Sequence, residues 1–390
     1  MSGQDAPWSR WVIDDFSSGA DGVKLGDINQ DGLMDVVTGW EEGGWTKVYL
    51  HPGYENLSKP WPSVIVGRTP AVEDAVFVDL DDDGVLDVVS STEGKDKRLY
   101  VHWGPASKQD LLDSAHWETE VIPASEGLMQ FMFAMPCEVD GENGIDLMVG
   151  GKGEDAAVGW FRSPQDPRDL AQWQWVSISP ATWIMSIVLA DMDDDGDLDV
   201  LLSDRKPGPS QGVRWLEHPG KGGVTGQSWD SHFVGAQGLE VMFLDLQDYD
   251  RDGLEDIAAT AFHQQVIFFE RLDPTGRQWG QTSVPTPFPS GRAKAIKVGD
   301  MDGDGRQDLV YSSNTLGEEG RLGVMWLPSA FKAEGSGWQN VSGEEGFKFD
   351  RMELIDIDGD GDLDVLTCEE NYGEDSHGLG VIWYENPNDR

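Results

Sequence analysis

Apolar and polar positions along this chain fall into short runs that return in a fixed order. An apolar segment such as residues 23–26 or 76–78 runs into an acidic, glycine-containing turn, and a second segment (36–37, 88–89, 200–202) leaves it. A third segment begins about twenty residues after each turn starts: KVYLHP at Lys47, RLYVHW at Arg98, AVGWFR at Ala157, GVRWLE at Gly212, QVIFFE at Gln265, GVMWLP at Gly323 and GVIWYE at Gly380. A fourth opens on tryptophan, at Trp8, Trp61, Trp117, Trp173, Trp229, Trp279 and Trp338. Runs this short, rich in β-branched and aromatic residues and bounded by Gly and Pro, predict strands. Four strands per repeat give one antiparallel sheet, and a series of such sheets predicts an all-β, seven-bladed propeller occupying residues 1–390 as one domain. After the last turn the chain supplies strands only as far as Tyr384, so the seventh repeat lacks its tryptophan strand. The unpartnered segment 8–13 is expected to fill that place and close the propeller.

The turns carry the clearest motif, Asp-x-Asp-x-Asp-Gly-x-x-Asp. Seven copies start at 27, 79, 138, 191, 245, 300 and 356, between 52 and 59 residues apart. Alternating carboxylates around a tight turn present hard oxygen donors, which is the ligand logic of a calcium loop. The expected ligands are Asp27, Asn29, Asp31 and Asp35; Asp79, Asp81, Asp83 and Asp87; Glu138, Asp140, Glu142 and Asp146; Asp191, Asp193, Asp195 and Asp199; Asp248, Asp250, Asp252 and Asp256; Asp300, Asp302, Asp304 and Asp308; and Asp356, Asp358, Asp360 and Asp364. Glycine at the sixth position permits a left-handed backbone, and in the third copy Asn143 stands there instead. The fifth copy carries three extra residues, which leaves Asp245 or Asp248 as its first ligand. Helical EF-hands end on Glu at position twelve between helices, so that class is excluded. Like charges this close repel without a cation, and the expected role of calcium is structural.

With these loops and strands in view, the chain resembles the FG-GAP or VCBS class of seven-bladed propellers, as in the N-terminal part of integrin α chains. The GVRWLEHPG stretch at Gly212 is similar to the propeller blades of the aldos-2-ulose dehydratases, a sugar-processing family. The first resemblance implies calcium-bearing loops; the second implies a carbohydrate or keto-sugar ligand and lyase or dehydratase chemistry.

If calcium loops occupy one end of the sheets, ligand chemistry is expected at the other, where equivalent positions of different repeats converge. Six residues past the last loop aspartate stand Glu41, Glu93, Lys152, Arg205, Phe262, Asn314 and Glu370, a charged and asymmetric series. Neighbours and blade-linking segments add Trp40, Glu73, Asp74, Lys95, Trp183, Asp204, Lys206, Glu240, His263, Lys294, Lys348, Asp350, Glu369 and Asn371. Trp40, Trp45 and Trp183 fall in loops at this end, and tryptophan beside carboxylates and amides suits a sugar. Lys152, Lys206 or His263 would serve as base if the site eliminates water, with cationic neighbours on the developing oxyanion. A binding module, lectin-like or integrin-like, would use the same groups only to stack and hydrogen-bond. No zinc-site cluster, nucleophile elbow or phosphate loop occurs.

Composition narrows the partners. With 72 Asp and Glu against 28 Lys and Arg the formal charge is −44, which argues against nucleic acid and anionic membranes. No apolar run reaches the roughly 20 residues needed to span a bilayer. Two cysteines, Cys137 and Cys368, read as buried thiols within strands. The N-terminus suits a secreted or periplasmic protein whose leader is removed, or a cytoplasmic one.

Overall fold

The computed structural model describes residues 6–220, 222–225, 228–262, 265–287, 291–315, 322–329, 337–370 and 378–388. Among them the chain forms seven four-stranded antiparallel sheets, the blades of a seven-bladed β-propeller. Sheet one comprises Ala20–Gly26, Asp35–Trp40, Trp45–Tyr49 and Ser63–Arg68. Sheets two to six repeat that up-and-down order, beginning at Val72–Val78, Gln130–Cys137, Ile184–Ala190, Val241–Gln247 and Arg292–Gly299. Sheet seven takes Phe349–Ile355, Asp364–Glu369 and Gly380–Glu385 from the C-terminal end and adds Ser9–Asp14 as its fourth strand.

That fourth strand pairs antiparallel with Gly380–Glu385, setting Trp11 opposite Trp383 with their rings stacked 6.1 Å apart. Trp8 is buried edge-on against Trp326 at 5.7 Å, and its backbone N–H donates to the Val341 carbonyl. The segment expected to complete the last blade therefore does so through both backbone pairing and buried aromatics.

The sheets group into two compact units. One spans 1–23, 52–60 and 239–390, and the other spans 24–51 and 61–238. In the second unit the apolar faces of successive sheets build one packed layer, with Val89, Val101, Phe131, Val149 and Phe161 among its fully buried members. In the first, Ala258, Val266, Ile296, Leu309 and Leu327 do the same. Second strands such as Asp35–Trp40 and Asp87–Thr92 are buried at every position, so they lie between apolar faces on both sides.

A buried polar chain threads the second unit. Thr69, Thr46 and Ser90 share hydroxyl hydrogen bonds of 2.7 and 2.8 Å, and Ser90 meets His102 Nε2 at 2.9 Å. His102 Nδ1 meets Thr119 Oγ1 at 2.9 Å, and Thr119 donates to the Val66 carbonyl at 3.0 Å. The imidazole packs directly beneath Gly67, where any Cβ would strike it. Burial alone pulls His102 down to about 3 from its usual 6.5. Cys137 and Cys368 are both buried free thiols, as expected.

Two outcomes follow from these contacts. Removing residues 1–14 should lower the melting midpoint sharply, and Trp8→Ala alone should cost about 3 kcal/mol in chemical denaturation; an unchanged midpoint would show that strand to be dispensable. For His102 the folded state holds the neutral ring while the unfolded chain takes up a proton below about 6.5, so its contribution fades as pH falls. The stability gap between wild type and His102→Gln should therefore narrow between pH 7 and pH 5.

Candidate functional site

Each acidic loop is built on three local devices. Its second residue, among them Ile28, Leu80, Met192, Met301 and Ile357, is a buried apolar plug. Its fourth and sixth residues both take left-handed backbone conformations, as at Gln30 and Gly32 (φ 56° and 88°) or Asp194 and Gly196 (63° and 95°). In the third loop Asn143 adopts φ 65° in place of the sixth-position glycine. In the first, second, fourth and fifth loops the first carboxylate then accepts the N–H groups of positions five and six, as Asp27 does from Asp31 and Gly32 at 2.9 Å each. The fifth loop does this from Asp248, to Asp252 and Gly253, which settles its register. Asp245 lies outside the turn, buried beside Lys297 at 3.8 Å and accepting the Val298 N–H at 3.0 Å.

The ninth aspartate plays a part that ligand counting alone does not suggest. Asp35 accepts the Ile28 N–H at 3.0 Å and the His51 N–H at 2.8 Å, so one carboxylate joins the start of its loop to the end of the third strand. The same pair of bonds recurs at Asp87, Asp146, Asp199, Asp256, Asp308 and Asp364. All seven carboxylates are buried. Desolvation pushes Asp35 and Asp256 up to about 6 and Asp87, Asp146, Asp199 and Asp364 up to about 7, against the pull of their backbone donors.

The donor set fits a hard divalent cation. Oxygens of Asp79, Asp81 and Asp87, and of Asp191, Asp193 and Asp199, come within 4.8 Å of one another. Asp300 Oδ1 is buried with no hydrogen-bond partner among the described residues. The third loop differs in its own way. Arg162, the last residue of its third strand, sets Nε 2.5 Å from Asp140 and a terminal nitrogen 2.7 Å from Glu142. At the matching place the fourth, fifth and seventh sheets carry Glu217, Glu270 and Glu385. A guanidinium thus already supplies positive charge to that loop.

At the opposite end of the sheets a recurrent bulge aims the polar groups. In sheets two to seven the register of the first strand slips near its start, and the slipped residues include Glu73, Lys294 and Asp350. In the second unit, Lys152 Nζ lies 2.5 Å from Glu73 and also pairs with Glu93. Carboxylates of Glu41, Glu73 and Glu93 converge there. The half-buried Trp183 ring has Lys152 Nζ 4.9 Å, the Arg205 guanidinium 4.7 Å and Lys206 Nζ 5.6 Å from its centroid. In the first unit, Lys294 Nζ is 2.7 Å from Asp350 and Lys348 pairs with Glu370. Asp21, Asp350 and Glu370 converge, all buried. Burial pushes Glu370 up to about 8 against the pull of Lys348, whereas for Asp350 Lys294 and Lys348 outweigh burial and hold it below the usual value.

Several expected ligand groups are spent elsewhere. Trp40 is fully buried and donates from Nε1 to the Tyr49 hydroxyl at 2.9 Å, so it belongs to the core because its strand is covered on both faces. Asp204 is buried and accepts from Thr182, Trp183 and Ser210, fixing the turn beneath Trp183. Glu369 accepts the Phe347 and Leu379 N–H groups at 2.8 and 2.7 Å. Asp74 is buried, Lys95 is exposed, and Glu240 and Asn314 are half-buried. His263 and Asn371 lie outside the described residues. Of the expected bases, Lys152 sits among carboxylates and Lys206 sits beside Trp183. Sequence reasoning missed Asp21, whose convergence with Asp350 and Glu370 crosses more than three hundred residues of chain.

Comparison with known proteins bears on the fold. No curated protein matches significantly. Two solved structures of BBS1N in complex with ARL6DN, soaked with mercury and with lead, superpose with TM-scores of 0.51 and 0.54 at 12% identity. In both, 98% of this chain is covered, with 99% and 96% of the other. The family model described as FG-GAP-like repeat matches residues 27–90 and 248–311, each starting on the first aspartate of one acidic loop. Repeat motif and seven-bladed architecture together support the FG-GAP class of seven-bladed propellers for this chain.

Proposed function

We propose that this protein is a calcium-stapled propeller that binds a carbohydrate or related polyhydroxylated ligand at the ends of its sheets remote from the acidic loops. The observation that carries the reading is Trp183, a half-buried indole with three cations around it and the glutamates held by Lys152 alongside. An aromatic face offers the apolar side of a sugar ring a surface, and fixed charges of both signs receive and supply its hydroxyl hydrogen bonds. The groups differ from sheet to sheet, which favours one asymmetric site over a repeated lectin pocket.

A second reading has its own support. The cluster of Asp21, Asp350 and Glu370 with Lys294 and Lys348 holds a carboxyl that keeps its proton near neutrality beside ammonium groups. That is the equipment for moving a proton next to a carbonyl, as a sugar lyase or dehydratase does. Elimination chemistry, if present, belongs there rather than at Lys152 or Lys206.

Calcium is the proposed occupant of the acidic loops apart from the third, where Arg162 bridges Asp140 and Glu142; in the second, Arg168 pairs with Asp81, yet oxygens of Asp79, Asp81 and Asp87 still come within 4.8 Å of one another. Chelation should lower the melting midpoint by more than about 10 °C, reversed by added calcium. Metal counting by native mass spectrometry should find six ions, rising to seven in Arg162→Ala; a count of zero with no effect of chelator would remove the calcium reading. On a glycan array the wild type should retain a defined set of neutral or acidic glycans, and Trp183→Ala should weaken that binding by roughly tenfold, the scale of one aromatic contact. Incubation with keto sugars and uronate polymers separates the two readings. New ultraviolet absorbance that disappears in Glu370→Gln supports elimination, while glycan retention without it supports a binding module.

A further inference from the structure

Many of the buried cations in this acidic protein face carboxylates, as Lys152, Lys294 and Lys348 do, and Arg214 has no carboxylate within contact among the described residues. It lies in the middle of the third strand of sheet four, Gly212–Glu217, opposite Leu202 and Phe233. The matching positions of the other sheets carry Lys47, Tyr100, Gly159, Ile267, Met325 and Ile382, so the repeat itself does not call for arginine there. Arg214 is only 2% exposed. Its guanidinium donates to Ser179 Oγ at 3.0 Å, Ser231 Oγ at 3.1 Å and the Pro180 carbonyl at 3.0 Å, all uncharged acceptors. Its Nε has no partner among the described residues. Burial pulls Arg214 below its usual value, and Asp204 opposes this only through the field, its oxygens being taken by Thr182, Trp183 and Ser210.

A buried charge without a contacting counter-ion costs several kcal/mol. This one lines a cavity of about 330 Å³ together with Ser210, Ser228, Trp229 and Phe233. Trp229 Nε1 there is also buried with no partner among the described residues, as is Nε1 of the equivalent Trp61 and Trp338 of other sheets. Both unsatisfied groups of the cavity are donors, and each would take an acceptor. Guanidinium has five N–H groups, of which three are engaged here. The remaining two include Nε–H, and the edge formed by Nε and a terminal nitrogen is the fork that grips a carboxylate or phosphate with two parallel bonds. The volume is at the lower end of small-molecule sites, about right for one monosaccharide.

We propose that Arg214 anchors an oxyanion site in this cavity, which takes the carboxylate or phosphate of a small hydroxylated molecule. The serine hydroxyls meet its hydroxyl groups, and Phe233, 38% exposed, borders the opening. The site does not include Trp183 but adjoins it through Thr182, and its existence does not depend on what binds the indole.

Isothermal titration of the full chain in calcium tests this with D-glucuronate, D-glucose 6-phosphate, inorganic phosphate, D-glucose, and sodium chloride at matched ionic strength. Saturable binding of glucuronate or of glucose 6-phosphate is expected, with glucose and chloride silent; whichever anion binds identifies the source of the charge. Arg214→Met should weaken that binding more than tenfold. Phe233→Glu, an exposed change that sets a carboxylate at the opening, should weaken it similarly without touching the core, so the test survives if Arg214→Met fails to fold. Trp183→Ala should leave it unchanged even if it abolishes glycan retention. Silence from all three anions, equal binding of glucose, or wild-type affinity in Phe233→Glu would each overturn the proposal.

Discussion

One carboxylate per repeat holds this architecture together. The ninth aspartate of each acidic loop is buried and accepts one N–H from the loop's second residue and one from just beyond the third strand. It thereby fixes where the turn begins and where the sheet's third strand must end. The same position sits beside two or three more carboxylates that the turn geometry requires for its own caps. The fold thus forces like charges into seven tight turns, and desolvation raises the cost at the aspartate that can least be moved. A cation at such a turn would relieve that conflict. In the third loop Arg162 places positive charge beside Asp140 and Glu142, and in the second Arg168 places it beside Asp81.

The opposite ends of the sheets are governed by a backbone irregularity instead. A bulge near the start of the first strand turns residues that an unbroken strand would alternate between faces, and it recurs in sheets two to seven. Because the bulge is set by the backbone, the side chains it carries are free to differ: Glu73 in one sheet, Lys294 in another, Asp350 in a third. Repetition supplies the position and divergence supplies the chemistry. In each unit the outcome is a lysine locked among carboxylates, which keeps polar groups buried yet ordered.

Sequence periodicity carried far in this chain because the fold repeats what the sequence repeats. Loop spacing, strand order and the placing of residues 8–13 beside the last strand all follow from it. Side-chain direction did not, for a physical reason. Trp40 ends a strand buried on both faces, so no alternation of polar and apolar residues marks it as core. Asp204 and Glu369 look like ligand groups by position, yet they serve backbone N–H groups whose need arises only once the neighbouring turn is folded. The left-handed fourth loop position escaped notice because Gln30, Asp82 and Arg251 occupy it as readily as glycine does.

The distribution of cations gives the remaining argument. With 28 Lys and Arg against 72 acids, positive charge is scarce, and where it is placed shows where the fold needs it. Lys152, Lys294, Lys297 and Lys348 each meet buried or half-buried carboxylates, and Arg162 and Arg168 each contact an acidic loop. These placements all relieve repulsion or desolvation inside the protein. Arg214 relieves neither, since its acceptors are two hydroxyls and a carbonyl. In a chain with so strong an excess of acid, a carboxylate partner would have been the easiest residue to provide. Among the described residues no carboxylate contacts Arg214, and that is the physical content of reading the cavity as an anion site.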